Sequence, residues 1–180
     1  VVAHAEHTQR SALDRQRRRV SVPRPHARGL YVVPDRHVAA PGTTQSTDII
    51  KMPDRDHAPA FWKSVANAYK GDLGVMFDLY NEPHNVSWSC WQNGCTVDGY
   101  HAVGMKQLVA TVRGSGAKNV VIAGGLSWSL DLSQWLAHRP ADSARQLGAS
   151  LHTYDFAACT TSCRSNVTNG KAKIPVVAGE

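Results

Sequence analysis

The sequence predicts an α/β domain built on a parallel sheet, and three observations predict it. Short runs that are apolar throughout recur along the chain. Segments with helical spacing separate them. Polar residues gather at the C-terminal ends of the apolar runs. Strands buried on both faces read as continuous apolar runs, and parallel strands need helical crossovers. The βα rhythm, with longer loops after strands than after helices, fits either a doubly wound sheet or a (β/α)8 barrel. No Gly-rich phosphate-binding pattern follows any of the runs, so a nucleotide site is not indicated.

The elements follow in order. Leu30-Tyr31-Val32-Val33 is a short apolar, β-branched run and reads as the first strand. Phe61, Val65 and Tyr69 recur at helical spacing, closed by Gly71. Residues 73–80 form the second strand, interrupted only by Gly74 and Asp78. Met105, Leu108, Val109 and Val112 trace one helix face, with Asp98 as its expected N-cap and Gly114 as its stop. Residues 119–123 form a third strand. Leu132, Trp135 and Leu136 open a short helix that ends near Pro140. Residues 147–154 and 174–178 supply the fourth and fifth strands. Trp62 and Trp135 fit helix faces packed on the sheet. Trp88 and Trp91, beside a cysteine loop, either line a cleft or cover that loop.

The chain has 180 residues, 42% hydrophobic and 19% charged, which suits one globular domain. Its longest apolar stretch, residues 120–126, carries two glycines and is too short to span a bilayer, so no membrane partner is expected. Net charge is +6, but residues 1–30 hold seven Arg against one Asp and one Glu, which accounts for +5. The basic balance therefore describes an Arg-rich lead-in, residues 1–28, ahead of a domain over residues 29–180. Pro23 and Pro25 interrupt that lead-in. It lacks interleaved aromatics and any nucleic-acid fold motif, so no nucleic-acid partner is expected. Four cysteines fall in two close pairs, Cys90 with Cys95 and Cys159 with Cys163. Their spacings of five and four fit a zinc site poorly, and local disulfides in an oxidising, extracellular compartment fit better. Four cysteines allow three connectivities, and the sequence does not choose among them.

The chemistry sits at the strand ends. His37 follows the first strand, Asn81-Glu82-Pro83-His84 the second and Trp128 the third. His152 and Tyr154 lie at the end of the fourth, and Glu180 ends the fifth. Active sites of parallel α/β folds assemble there. Glycoside hydrolysis needs one carboxyl to protonate the leaving oxygen and another to attack or to activate water. Glu82 and Glu180 lie 98 residues apart, so only the fold can bring them together. A Glu beside another carboxylate is expected to hold its proton more tightly than usual, which suits an acid.

Phe77-Asp78-Leu79-Tyr80-Asn81-Glu82-Pro83-His84 resembles the fourth-strand motif of glycoside hydrolase family 5, the cellulase family of clan A. Ile174-Pro175-Val176-Val177-Ala178-Gly179-Glu180 resembles its seventh-strand motif, Leu151-His152-Thr153-Tyr154 its sixth, and residues 31–37 a degraded third. The resemblance covers roughly residues 26–180. It implies a partial (β/α)8 TIM barrel, parallel strands three to seven with intervening helices, and a retaining β-glycosidase of the endo-β-1,4-glucanase kind. By the resemblance Glu82 is the acid/base and Glu180 the nucleophile. Asn81 hydrogen-bonds the sugar 2-hydroxyl, and His37 and His152 bind hydroxyls or orient the carboxylates. Tyr154 holds the nucleophile, Trp128 stacks on a glucosyl ring, and His84 either supports the site or packs beneath it. No metal or other cofactor is expected, because two carboxyls supply both proton transfer and nucleophile. The expected partner is a β-linked polysaccharide, and the expected protein is a secreted monomer.

The resemblance also marks departures. Residues 1–25 hold no counterpart of the family's first two strands, and the eighth would lie beyond Glu180. Pro34 and Arg36 stand where the family usually has leucines. Proline removes a ladder donor, and an inward arginine needs a partner. A truncated sequence with a corrupted start accounts for all of these, and a catalytically incomplete barrel that binds β-glucan weakly is the alternative to an active enzyme.

Overall fold

The computed structural model describes residues 31–154 and 174–179. The Arg-rich lead-in, Leu30, the Cys159 and Cys163 pair and Glu180 lie outside the described residues. The elements run α1 (Ala58–Tyr69), β1 (Phe77–Asp78), α2 (Trp88–Asn93), β2 (Gly94–Val97), β3 (Tyr100–Val103), α3 (Met105–Gly114), β4 (Val121–Gly124), α4 (Leu126–Ser129), β5 (Leu147–Leu151) and β6 (Val176–Ala178).

Four strands form a parallel sheet in the order β1-β4-β5-β6. Phe77 lies opposite Val121, Val121 opposite Leu147, and Ala149 opposite Val176. Residues 32–35 add a fifth lane beside β1 through two parallel bridges, Val32 to Val75 and Asp35 to Asp78. The first strand is therefore present but broken. Val32 keeps both of its ladder bonds, its N–H on the Gly74 carbonyl and its carbonyl on the Met76 N–H. Pro34 has no N–H to continue the pattern, though its carbonyl still accepts from Asp78 at 3.1 Å. Among the described residues the sheet stays open, with this lane at one edge and β6 at the other.

Helices α1 and α3 pack together and lie over one face of the sheet. Trp62, Val65, Leu108, Val109 and Val112 fill the layer between, all buried. Three buried indoles tie that layer to the strand ends. Trp62 donates to the Leu79 carbonyl at 2.9 Å, Trp91 to Gly124 at 2.9 Å and Trp135 to Ala123 at 3.0 Å. Trp62 and Trp135 are thus core, as their spacing implies. Trp91 is fully buried beside Trp135, and Trp88 is 7% exposed, between Trp91 and His138.

Three readings of the sequence need correction. Asp98 does not cap α3. It sits at the tip of the β2–β3 hairpin, where Asp98 and Gly99 both take positive φ, and Gly104 is the N-cap. The strand over residues 73–80 is regular only at Phe77–Asp78. The helix expected from Leu132 to Pro140 is a run of turns, in which Trp135 N–H reaches back to Leu132 and His138 to Gln134. Among the three connectivities open to the cysteines, the Cys90–Cys95 disulfide is formed, with Cα atoms 5.1 Å apart, and closes α2 onto β2. No described helix is long and apolar enough to cross a membrane.

Candidate active site

The chain leaves β1 and runs directly into Asn81, Glu82, Pro83 and His84, all buried. Glu82 is the centre of the arrangement. Its Oε1 accepts from the Tyr154 hydroxyl at 2.9 Å and lies 3.1 Å from His152 Nδ1. Both partners come from the end of β5, so the ends of β1 and β5, two lanes apart with β4 between them, meet at one carboxylate oxygen. His152 is 1% exposed, and its backbone N–H is fixed on the Ser129 carbonyl at 3.1 Å.

Burial pushes the Glu82 carboxyl toward its neutral form. The hydrogen bonds from His152 and Tyr154, with the positive fields of His152 and His37, outweigh it and hold the group below the ordinary glutamate range. The company Glu82 keeps among the described residues is His152, Tyr154 and His37, and Glu180, the second carboxylate expected to shift it upward, lies outside them. The Tyr154 hydroxyl reaches Glu82, the residue read as the acid/base, while the bond expected to Glu180 falls on a residue outside the described ones.

His37 stands at the end of the broken first lane, half-buried, with Nδ1 2.9 Å from Asp35 Oδ2. Arg36 between them points the other way. Its Nη2 meets Asp54 Oδ2 at 2.6 Å, and its guanidinium lies 5.4 Å from the Phe61 ring centre. Arg36 is itself buried, and the partner a buried arginine needs is Asp54. Asn81 anchors this lane to β1 by donating its N–H to the Arg36 carbonyl at 3.3 Å. The Asn81 side-chain Nδ2 has no partner among the described residues and lines a cleft of about 400 Å³ with Asp35, Asp78, Ser150, His152 and Gly179.

Trp128 is 43% exposed and stacks on His84, ring centres 4.8 Å apart and 7° from parallel. His84 is itself fixed through Nδ1 on the Glu82 carbonyl at 2.8 Å. The backbone that presents Trp128 is strained. Ser127, Trp128 and Ser129 take φ of 54°, 59° and 60° in succession. Left-handed conformation in a non-glycine residue costs about 1–2 kcal/mol. Neighbouring bonds impose it here, from Trp128 N–H to the Pro83 carbonyl at 3.1 Å and from Ser129 Oγ to the Asn81 carbonyl at 2.8 Å. A Cβ on Gly124 would collide with Ser129 Oγ, so the turn needs glycine beneath it.

Sequence reading missed Ser129 and Asp35. Ser129 is fully buried and joins Asn81 to His152. No pattern in the sequence marks it. Asp35 stands two residues before His37, and period-two alternation along a strand puts both on one face. It also missed Gly179, where a Cβ would lie 2.8 Å from His152 Nε2. Strand β6 can therefore pass His152 only without a side chain at that position. Glu180 follows immediately but lies outside the described residues.

The model of the cellulase family, glycosyl hydrolase family 5, matches residues 19–178. The chain belongs to that family. Its relatives include Endoglucanase E-5 of Thermobifida fusca, 28% identical over 145 residues, which cover 79% of this chain and 27% of that protein. Endoglucanase Z of Dickeya dadantii is 29% identical over 101 residues, 56% of this chain and 21% of that one. Among solved structures, the catalytic domain of the Thermobifida fusca endoglucanase Cel5A matches with a TM-score of 0.61 at 22% identity, covering 86% of this chain and 46% of that chain. XacCel5A in complex with cellopentaose matches with a TM-score of 0.60 at 20% identity, covering 83% and 52%. The chain thus spans about a quarter of these curated relatives and about half of the solved chains. The family 5 fold is a (β/α)8 barrel, and the open parallel sheet with its outer helices is part of one.

Proposed function

We propose that this family 5 domain carries the chemistry of a retaining endo-β-1,4-glucanase. The observation that carries the reading is the Glu82 carboxylate, buried at a strand end and held from one side by His152 and Tyr154. In the first step Glu82 gives its proton to the departing glycosidic oxygen while the Glu180 carboxylate attacks the anomeric carbon. In the second, Glu82 takes a proton from water, which attacks the glycosyl-enzyme and restores the starting configuration. A carboxyl held below the ordinary range is ionised in the resting site, the form from which the second, basic step starts. Asn81 Nδ2, unpartnered above the cleft, is free to donate to a sugar hydroxyl. The exposed indole of Trp128 offers a flat apolar face to a pyranose. The names of the endoglucanase relatives and the cellopentaose complex support a β-glucan substrate. A disulfide at Cys90–Cys95 supports a secreted protein.

The second reading is β-glucan binding without turnover. The parallel sheet, open at both edges among the described residues, favours it. Hydrolysis of a soluble cellulose derivative separates the two. An active enzyme releases products of retained configuration, and Glu82→Gln lowers kcat by about 10²–10⁴. Binding with no release supports the second reading. Equal activity in Glu82→Gln and wild type would falsify the role of Glu82.

A further inference from the structure

Ser129 ends the short turn after β4, is fully buried, and has no part in the chemistry proposed above. It makes one bond to each side. Its Oγ donates to the Asn81 carbonyl at 2.8 Å, just past the end of β1, and its carbonyl accepts the His152 N–H at 3.1 Å, just past the end of β5. We propose that Ser129 is a positioning residue that sets the spacing of these two strand ends, so that the Glu82 carboxylate meets the His152 ring and the Tyr154 hydroxyl.

The sheet order creates the need for such a spacer. Strand β4 separates β1 from β5. Neighbouring strands lie about 4.8 Å apart, so these two backbones stand about 9–10 Å apart. Glu82 has to reach across the middle lane, and its contacts of 2.9 Å and 3.1 Å leave little room for drift at either end. The chain leaving β4 fills that lane. Its hydroxyl sits directly over Gly124, where any Cβ would collide with it. Three successive left-handed residues, Ser127 to Ser129, fold the chain back so that a single residue bonds to both neighbours.

The hydroxyl and the shape of the turn can be separated by substitution. Ser129→Ala removes the hydroxyl and keeps the unfavourable φ of 60°. Ser129→Gly also removes the hydroxyl but relieves that φ, because glycine takes positive φ without a steric penalty. A turn that matters only for its shape is therefore kept in the glycine variant, whereas the bond to Asn81 is lost in both. The readout is an NMR titration of the Glu82 side-chain carboxyl, which needs no turnover. Burial pushes that carboxyl up, the bonds from His152 and Tyr154 pull it down, and the fields of His152 and His37 add to them. Its ionisation thus reports the geometry, and a loss of stability elsewhere does not move it. Both variants are expected to titrate higher than wild type by on the order of one pH unit, the scale of one charged hydrogen bond. The effect on catalysis rests on the glucanase reading, where both variants lower kcat about tenfold with KM within about twofold. A Glu82 titration that stays at the wild-type value in either folded variant overturns the proposal. A moved titration in a protein that cleaves no β-glycan leaves the proposal standing and sinks the glucanase reading instead.

Discussion

Replacing Asp54 by Leu tests the clamp that holds the first lane. Asp54 is fully buried and accepts three hydrogen bonds, from Arg36 Nη2 at 2.6 Å, His57 N–H at 2.8 Å and His57 Nδ1 at 2.7 Å. Its loss strands a guanidinium whose side chain is only 9% exposed and whose Nε already lacks a partner among the described residues. The Phe61 face alone cannot replace a carboxylate. Breaking a buried ion pair from one side costs about 3–5 kcal/mol. At about 2–4 °C per kcal/mol for a chain of this size, Tm falls by about 6–20 °C. The double variant Arg36→Met/Asp54→Leu removes both charges and fills the space with apolar atoms. It should recover most of the stability, because well-packed apolar substitutes for buried pairs are often neutral or better. The assay is urea unfolding of wild type, both single variants and the double at neutral pH, read as a double-mutant cycle. If Asp54→Leu costs under about 1 kcal/mol, or the double variant is no more stable than Asp54→Leu, the clamp argument fails.

The other expectations concern the site and the loop beside it. Tyr154→Phe removes one of the bonds that hold Glu82 down, so its proton affinity rises. Because kcat/KM falls as pH climbs through the pKa of the acid, its alkaline limb should move to higher pH, and an unmoved limb contradicts the Tyr154–Glu82 bond. The same bond has a stability signature. A depressed carboxyl contributes stability above its unfolded pKa and loses it as pH falls through the folded value. Wild type should therefore exceed Tyr154→Phe at neutral pH, and the gap should close in acid. Trp128→Ala should raise KM about tenfold with kcat nearly unchanged, as expected for a surface that binds ground state and transition state alike. A fall in kcat at constant KM would argue for a structural role. Reduction of Cys90–Cys95 opens a loop with sequence separation 5, so about 2 kcal/mol of stability should go with it. Calorimetry with and without a phosphine reductant reads this as a drop of about 4–8 °C.

The helices and the strand ends were legible because their signals are local. Phe61 to Tyr69 and Met105 to Val112 repeat at helical spacing, and the two helices follow those residues. The Asn-Glu-Pro and His-x-Tyr strand ends carry the family pattern, and the structure brings Glu82, His152 and Tyr154 together. The β2–β3 hairpin was signalled by Asp98-Gly99, a strong two-residue turn, but a capping role was read there first. The left-handed turn at 127–129 had no such signal. Its conformation is imposed by Pro83, Asn81 and the space above Gly124, all distant in sequence. Downstream, Leu132 and Trp135 mimic a helix face because the buried Trp135 anchors to Ala123 from a chain of turns.

Pro34 and Arg36 had looked like two faults in a family strand. Alternation along the lane gives each a place. With Asp35 facing the cleft, Arg36 must face the helix layer, where Asp54 and the Phe61 ring receive it. Pro34 costs one ladder bond, and this is why the lane survives as two bridges and not as a strand. A segment with fewer backbone bonds depends more on its side chains for register. The Arg36–Asp54 pair and the Asp35–His37 pair pull on neighbouring residues from opposite faces, and Asn81 reads the position of that segment through the Arg36 carbonyl. Disturbing Asp54 on the outer face should therefore be felt at His37 on the inner one.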